Sequence, residues 1–161
     1  MSQDNWSTPP EFMAWIRRYW TPDLDVCADE TNHQCGKWIG EQENGLVAMW
    51  ADLDGPRTVW CNPPYSKPRP WFDKALAESE DEVMTLLLTN ASTGCKWWAE
   101  LAPQFAEVYL LWPRIQFVAP PGVKRSTNMK DQTLTIITPE SVRMRRGPRI
   151  QVVNWKDHQF V

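Results

Sequence analysis

A chain of 161 residues and 18.8 kDa is long enough for one domain with its own apolar core and short for two. With 42% hydrophobic and 23% charged residues and a mean hydropathy of -0.52, the composition excludes a disordered chain. No apolar run approaches the roughly 20 residues that span a bilayer, so no membrane partner is expected. The formal charge of -3 is unevenly spread: residues 1–111 carry 8 Lys and Arg against 17 Asp and Glu, a net of -9, while residues 112–161 carry 9 against 3, a net of +6. That basic portion is either a phosphate-facing surface or a solvated face without a partner. The opening Met1-Ser2-Gln3-Asp4-Asn5-Trp6 lacks the basic start and apolar stretch of a signal peptide, which sets a cytoplasmic expectation. Four scattered cysteines (Cys27, Cys35, Cys61, Cys95) do not make a disulfide framework, and seven glycines form no GxGxxG or GxxxxGK motif.

Ser7-Thr8-Pro9-Pro10-Glu11 reads as a helix start with a hydroxyl cap, proline in the first turn and an acid near the positive end of the dipole. Phe12, Trp15, Ile16 and Tyr19 then share one face, and the helix ends near Trp20-Thr21-Pro22. Leu24-Asp25-Val26-Cys27-Ala28 reads as a short buried strand running into the polar loop Asp29-Glu30-Thr31-Asn32, and residues 31–50 show no regular pattern. A second strand, Thr58-Val59-Trp60-Cys61, is stopped by Asn62-Pro63-Pro64-Tyr65, because consecutive prolines have no N–H to give a central ladder. A helix from Pro70 to Glu78, a doubly buried strand from Val83 to Leu88 and a helix capped by Ser92 or Thr93 follow. Further strands are expected at 108–111, 133–137 and 150–153. Alternating strands and helices argue for a single α/β domain over residues 1–161, mostly parallel, with an antiparallel C-terminal edge.

The tetrad Asn62-Pro63-Pro64-Tyr65 carries the chemistry. In open α/β sheets ligands bind beyond the carboxyl ends of strands, where this tetrad falls. The Asn62 carboxamide oxygen and the Pro63 carbonyl can both accept hydrogen bonds from an exocyclic amino group, freeing its lone pair for attack on a methyl carried by a sulfonium. The proline pair holds these acceptors rigidly, and the Tyr65 ring offers a face for a planar base.

These residues resemble a known family. Asn-Pro-Pro-Tyr is the signature of S-adenosylmethionine-dependent amino-methyltransferases, and the wider arrangement resembles the small phage-type DNA N6-adenine methyltransferases (Dam-type). The resemblance runs from residue 6 to about 118, through Trp6-Ser7-Thr8-Pro9, Leu24–Ala28 with Asn32 and Cys35, Gly45-Leu46, Trp50, Trp60–Ser66, Pro70-Trp71 and Lys74-Ala75. It implies a Rossmann-like methyltransferase sheet and S-adenosylmethionine as cofactor. It also implies that Thr8, Pro9 and Asp25 hold the methionine part, that Cys27 and Ala28 are among the cofactor-binding residues, that Asp52 or Asp54 meets the adenosine, and that Tyr65 stacks on an extruded adenine. Unlike the wider class, this chain has no glycine-rich turn after Asp25.

The resulting expectation is methyl transfer to the N6 amino group of adenine in DNA, with Asn62, Pro63, Pro64 and Tyr65 as the catalytic tetrad. Lys124, Arg125, Arg143, Arg145 and Arg146 are expected on the DNA backbone. A chain of this length implies a short or relaxed target, and a homodimer stays open. Competing readings are an RNA adenine or protein-glutamine substrate, or an inactive DNA-binding or decoy module. Each residue also has a plainer role: Thr8 as a helix cap, Asp25 as a solvated strand end, the tetrad as a turn. His33 with Cys27, Cys35 and Cys61 fits no standard zinc spacing, so no metal is expected, and His158 reads as exposed. Trp6 and Trp71 are the tryptophans expected to line the cleft.

Overall fold

The computed structural model describes residues 6–51, 57–124, 127–143 and 147–160. Its strands are β1 (Leu24–Asp25), β2 (Lys37–Trp38), β3 (Arg57–Cys61), β4 (Val83–Asn90), β5 (Glu107–Trp112), β6 (Gln132–Ile137), β7 (Arg149–Asn154) and β8 (Gln159–Phe160). They form one mixed sheet in the order β2-β1-β3-β4-β6-β5-β7-β8. The pairs β2/β1, β1/β3, β3/β4 and β5/β7 are parallel, whereas β6 is antiparallel to both β4 and β5, and β8 to β7. The antiparallel C-terminal edge that the sequence suggests is the two-residue β8, and a second antiparallel strand, β6, not anticipated there, lies inside the sheet, where all six of its residues are buried. Its unbroken Gln132–Ile137 burial is what a strand covered on both faces requires.

Three helices cover the sheet. On one face lies α1 (Pro10–Tyr19), whose Phe12, Met13, Trp15 and Ile16 pack with Trp60, Leu86, Leu88, Leu134 and Ile136. The opposite face receives α2 (Arg69–Glu78) and α3 (Lys96–Leu101), which bury Phe72, Ala75, Trp98 and Leu101 against Val59, Cys61, Leu87, Val108 and Ile137. The period-two alternation of the strands sorts these side chains: Trp60 points to α1 while its neighbours Val59 and Cys61 point to α2 and α3.

Two expected caps are absent. The N-cap of α1 is Pro9 and that of α3 is Cys95, and neither makes a side-chain cap bond, so Ser7, Thr8, Ser92 and Thr93 do not cap these helices. β1 is shorter than the pattern suggests because the Asp25 carboxylate bends the chain onto itself, its Oδ1 accepting from the Cys27 N–H at 3.2 Å. Pairing continues briefly past the strand, Val26 N–H donating to the Trp60 carbonyl at 3.1 Å. Gly45 approaches this bend so closely that an added Cβ would lie 2.2 Å from the Val26 carbonyl oxygen and 3.0 Å from the Trp71 ring.

Candidate active site

At the carboxyl ends of β1 and β3 a polar pocket opens on the α1 side, lined by Trp6, Ser7, Thr8, Asp25, Cys27, Asn32, Gln34, Trp60 and Asn62. The parallel register that sets Asp25 beside Trp60 turns both side chains to the same face. Asp25 is 3% exposed. Its Oδ2 accepts from the Gln34 N–H at 2.9 Å and its Oδ1 from Cys27, and no Lys or Arg among the described residues pairs with it. Burial raises its pKa from 3.8 to about 6, against the lowering pull of the two N–H bonds and of His33. The Gln34 and Cys27 bonds also show how the loop after β1 is turned without a glycine-rich segment: the carboxylate itself holds it.

Asn62 follows β3 directly. Its Nδ2 donates to the Thr8 hydroxyl oxygen at 3.3 Å, while its Oδ1 has no hydrogen-bond partner among the described residues. Thr8 is 3% exposed and is held in turn by an antiparallel bridge at its neighbour, with Ser7 N–H donating to the Val118 carbonyl at 3.0 Å and the reverse bond at 2.9 Å. Pro63 is buried, and Tyr65 meets Phe117 edge-on with ring centroids 5.8 Å apart. The Tyr65 hydroxyl and the Trp60 indole N–H are buried with no partner in the structure, and burial pushes the Tyr65 phenol well up. The sulfurs of Cys27, on the pocket wall, and Cys61 lie 3.8 Å apart, and burial pushes the Cys27 thiol well up.

The structure thus brings Thr8, Asp25, Cys27 and Asn62 together around one pocket; Pro9 and Ala28 are buried beside it in the chain without lining it. Asp52 and Asp54 lie outside the described residues, as do Arg125, Arg145 and Arg146. The remaining cations separate. Lys124 is exposed in the segment between β5 and β6, at the same end of the sheet as Asn62. Arg143 is bound to the Ser79 hydroxyl beyond the opposite end, beside the start of β4. Trp6 lines the pocket as expected, but Trp71 packs on the α2 side against Gly45. Sequence reasoning missed Gln34 and Trp60 as pocket residues: Gln34 sits in the patternless stretch, and Trp60 reads as core. His33 is stacked on Trp38 at 4.1 Å, and His158 is exposed.

The family model for DNA N-6-adenine-methyltransferase (Dam) matches residues 1–159. The chain belongs to the DNA N-6-adenine-methyltransferase family. Among its relatives, a protein of Haemophilus phage HP1 named DNA N-6-adenine-methyltransferase is 31% identical over 144 residues, which are 86% of this chain and 81% of the relative. A protein of the same name from Escherichia phage T1 is 35% identical over 107 residues, 66% of this chain and 44% of the relative. The match thus spans less than half the length of the phage T1 protein. In the structure the Asn62-Pro63-Pro64-Tyr65 tetrad follows β3 at the carboxyl end of the sheet, and Asn62 lines the same pocket as the buried Asp25.

Proposed function

We propose that the chain is a DNA methyltransferase that moves a methyl group from S-adenosylmethionine to the N6 amino group of adenine, on a Rossmann-like sheet acting as one domain. The observation that carries the site assignment is the Asn62 carboxamide, whose nitrogen is occupied by Thr8 and whose oxygen is left as an acceptor beside the pocket. The pocket's chemistry fits the cofactor. Asp25 is a buried carboxylate with no cation of its own, and Trp60 offers a buried N–H with no acceptor, so both answer a ligand that is cationic and bears acceptor groups. Asp25, Cys27, Asn32, Gln34 and Trp60 would hold it; when bound, it supplies an electrophilic methyl group.

The chain's own residues then do the rest. Asn62 Oδ1 and the Pro63 carbonyl accept the two hydrogens of the adenine amino group, which localises the nitrogen lone pair for attack. The pyrrolidine rings of Pro63 and Pro64 fix the backbone that carries these acceptors. Tyr65 supplies a ring beside the base. The amino nitrogen would gain the methyl as the sulfonium's carbon–sulfur bond breaks to leave a neutral thioether, and the nitrogen, then cationic, would release a proton to solvent, so no buried base is required. Catalysis is positioning and electrostatics. Lys124 and the segment around it, at the Asn62 end of the sheet, face the DNA backbone, while Arg143 serves the far end of the fold.

The test is to incubate the protein and its Asn62→Ala variant with unmethylated DNA and labelled S-adenosylmethionine, digest the DNA to nucleosides and identify methylated bases by mass spectrometry. N6-methyladenine from the wild type, reduced at least about 100-fold in the variant, is expected. A different methylated base, methylation of RNA or protein alone, or no product and no cofactor binding would overturn the reading.

A further inference from the structure

The contact between Thr8 and Asn62 has a consequence beyond holding cofactor. A terminal carboxamide torsion is broad and roughly two-fold, so an asparagine at a strand end can present either its oxygen or its NH2 in a given direction. Only the oxygen can receive an amino group; the flipped amide would set donor against donor. In this structure Nδ2 is committed to a hydroxyl oxygen, and Oδ1 has no partner among the described residues. The hydroxyl is buried and its backbone is fixed on both sides, by the two-bond bridge from Ser7 to Val118 and by Pro9 and Pro10 opening α1. It has no competing duty as a helix cap, because α1 makes no side-chain cap bond.

We infer that Thr8 is a positioning residue for the transfer step: its hydroxyl oxygen accepts from Nδ2 of Asn62, and this contact holds the carboxamide in the arrangement that offers Oδ1 to the adenine amino group. This rests on the proposed function, and it differs from the cofactor-holding role that family resemblance gives Thr8. The Ser7–Val118 bridge extends the arrangement, because Phe117 next to it abuts Tyr65. One segment, residues 113–118, therefore braces both Asn62, through Thr8, and Tyr65, by direct contact.

Thr8→Val keeps the shape and removes the oxygen; Thr8→Ser keeps the oxygen. The expected result is a single-turnover methylation rate, at saturating S-adenosylmethionine and DNA, lowered about 10- to 100-fold in Thr8→Val and restored to within about threefold in Thr8→Ser. The dissociation constant for S-adenosylhomocysteine should stay within about twofold in both. If Thr8→Val instead weakens S-adenosylhomocysteine binding and leaves the saturated rate unchanged, Thr8 holds cofactor and the inference fails; an unchanged rate and affinity also overturn it. A second readout does not need activity. Hydrogen exchange of the Asn62 side-chain amide, assigned by its loss in Asn62→Ala, should be slowed in the wild type and Thr8→Ser and fast in Thr8→Val. Slow exchange with no DNA methylation by the wild type would break the functional reading and leave the contact standing, whereas equally fast exchange in all three proteins would break the contact itself.

Discussion

Among the described residues two carboxylates are buried, one at each end of the sheet, and they are held in opposite ways. At the far end Glu78 accepts the N–H groups of Trp50 at 2.9 Å and Ala51 at 3.1 Å and is ion-paired with Lys74, whose ammonium also lies 5.7 Å from the centre of the Trp50 ring. At the pocket end Asp25 has two N–H donors as well but no Lys or Arg partner among the described residues, and its pKa is raised to about 6. A buried charge with a full set of partners stabilises the fold, whereas a buried charge without a cation costs stability, which is why Asp25 is proposed to face the cofactor.

The largest effect that sharpens this contrast is at the far end. Lys74→Met leaves Glu78 as an unneutralised buried charge and should cost about 3–5 kcal/mol in urea unfolding, while S-adenosylhomocysteine affinity of the folded fraction is unchanged. Next comes Gly45, where the Cβ of Gly45→Ala meets the Val26 carbonyl and Trp71; about 1–3 kcal/mol of stability and a lower Tm are expected.

Asp25 gives the pH signature. Its carboxyl binds its proton more tightly folded, at about 6, than unfolded, at 3.8, so protonation favours the native state and stability from this group is lost as pH rises from about 4 to above 6. In the absence of ligand, the stability of the wild type relative to Asp25→Asn should therefore fall by about 1 kcal/mol between pH 5 and pH 8. S-adenosylhomocysteine binding should run the other way in the wild type, weakening as pH drops below about 6, and lose that dependence in Asp25→Asn. The smallest effect separates the cations: Lys124→Ala should weaken DNA binding a few-fold on every sequence and reduce the salt slope by about 1, whereas Arg143→Ala should leave both unchanged.

Much of this arrangement was legible in the chain. Periodicity located α1, α2 and the buried strands to within a few residues, and Pro22, Pro63, Pro113 and Pro139 lie within three residues of the ends of α1, β3, β5 and β6. The Asn62-Pro63-Pro64-Tyr65 tetrad, proposed as catalytic, stood out by following an apolar strand. What escaped was non-local. No pattern in Gln132–Ile137 says that β6 slots between β4 and β5, since a strand buried on both faces reads the same at any interior position. The role of Thr8 was hidden for a related reason: a threonine ahead of two prolines has the local signature of a cap, and only the folded chain puts Asn62, 54 residues later, against its hydroxyl. Likewise, the basic C-terminal charges look like one group in sequence, and the fold sends Lys124 and Arg143 to opposite ends.

The most direct measurement of whether the Asp25 end is the cofactor site is a titration of S-adenosylhomocysteine into nitrogen-15-labelled protein, following two indole N–H signals. Trp60 lines the pocket with its N–H unpartnered, while the Trp50 N–H is bound to the Gly45 carbonyl at 2.7 Å on the other face. The account predicts a large, saturable shift at Trp60, assigned by Trp60→Phe, and a stationary Trp50. Saturable binding that leaves Trp60 unmoved would contradict it.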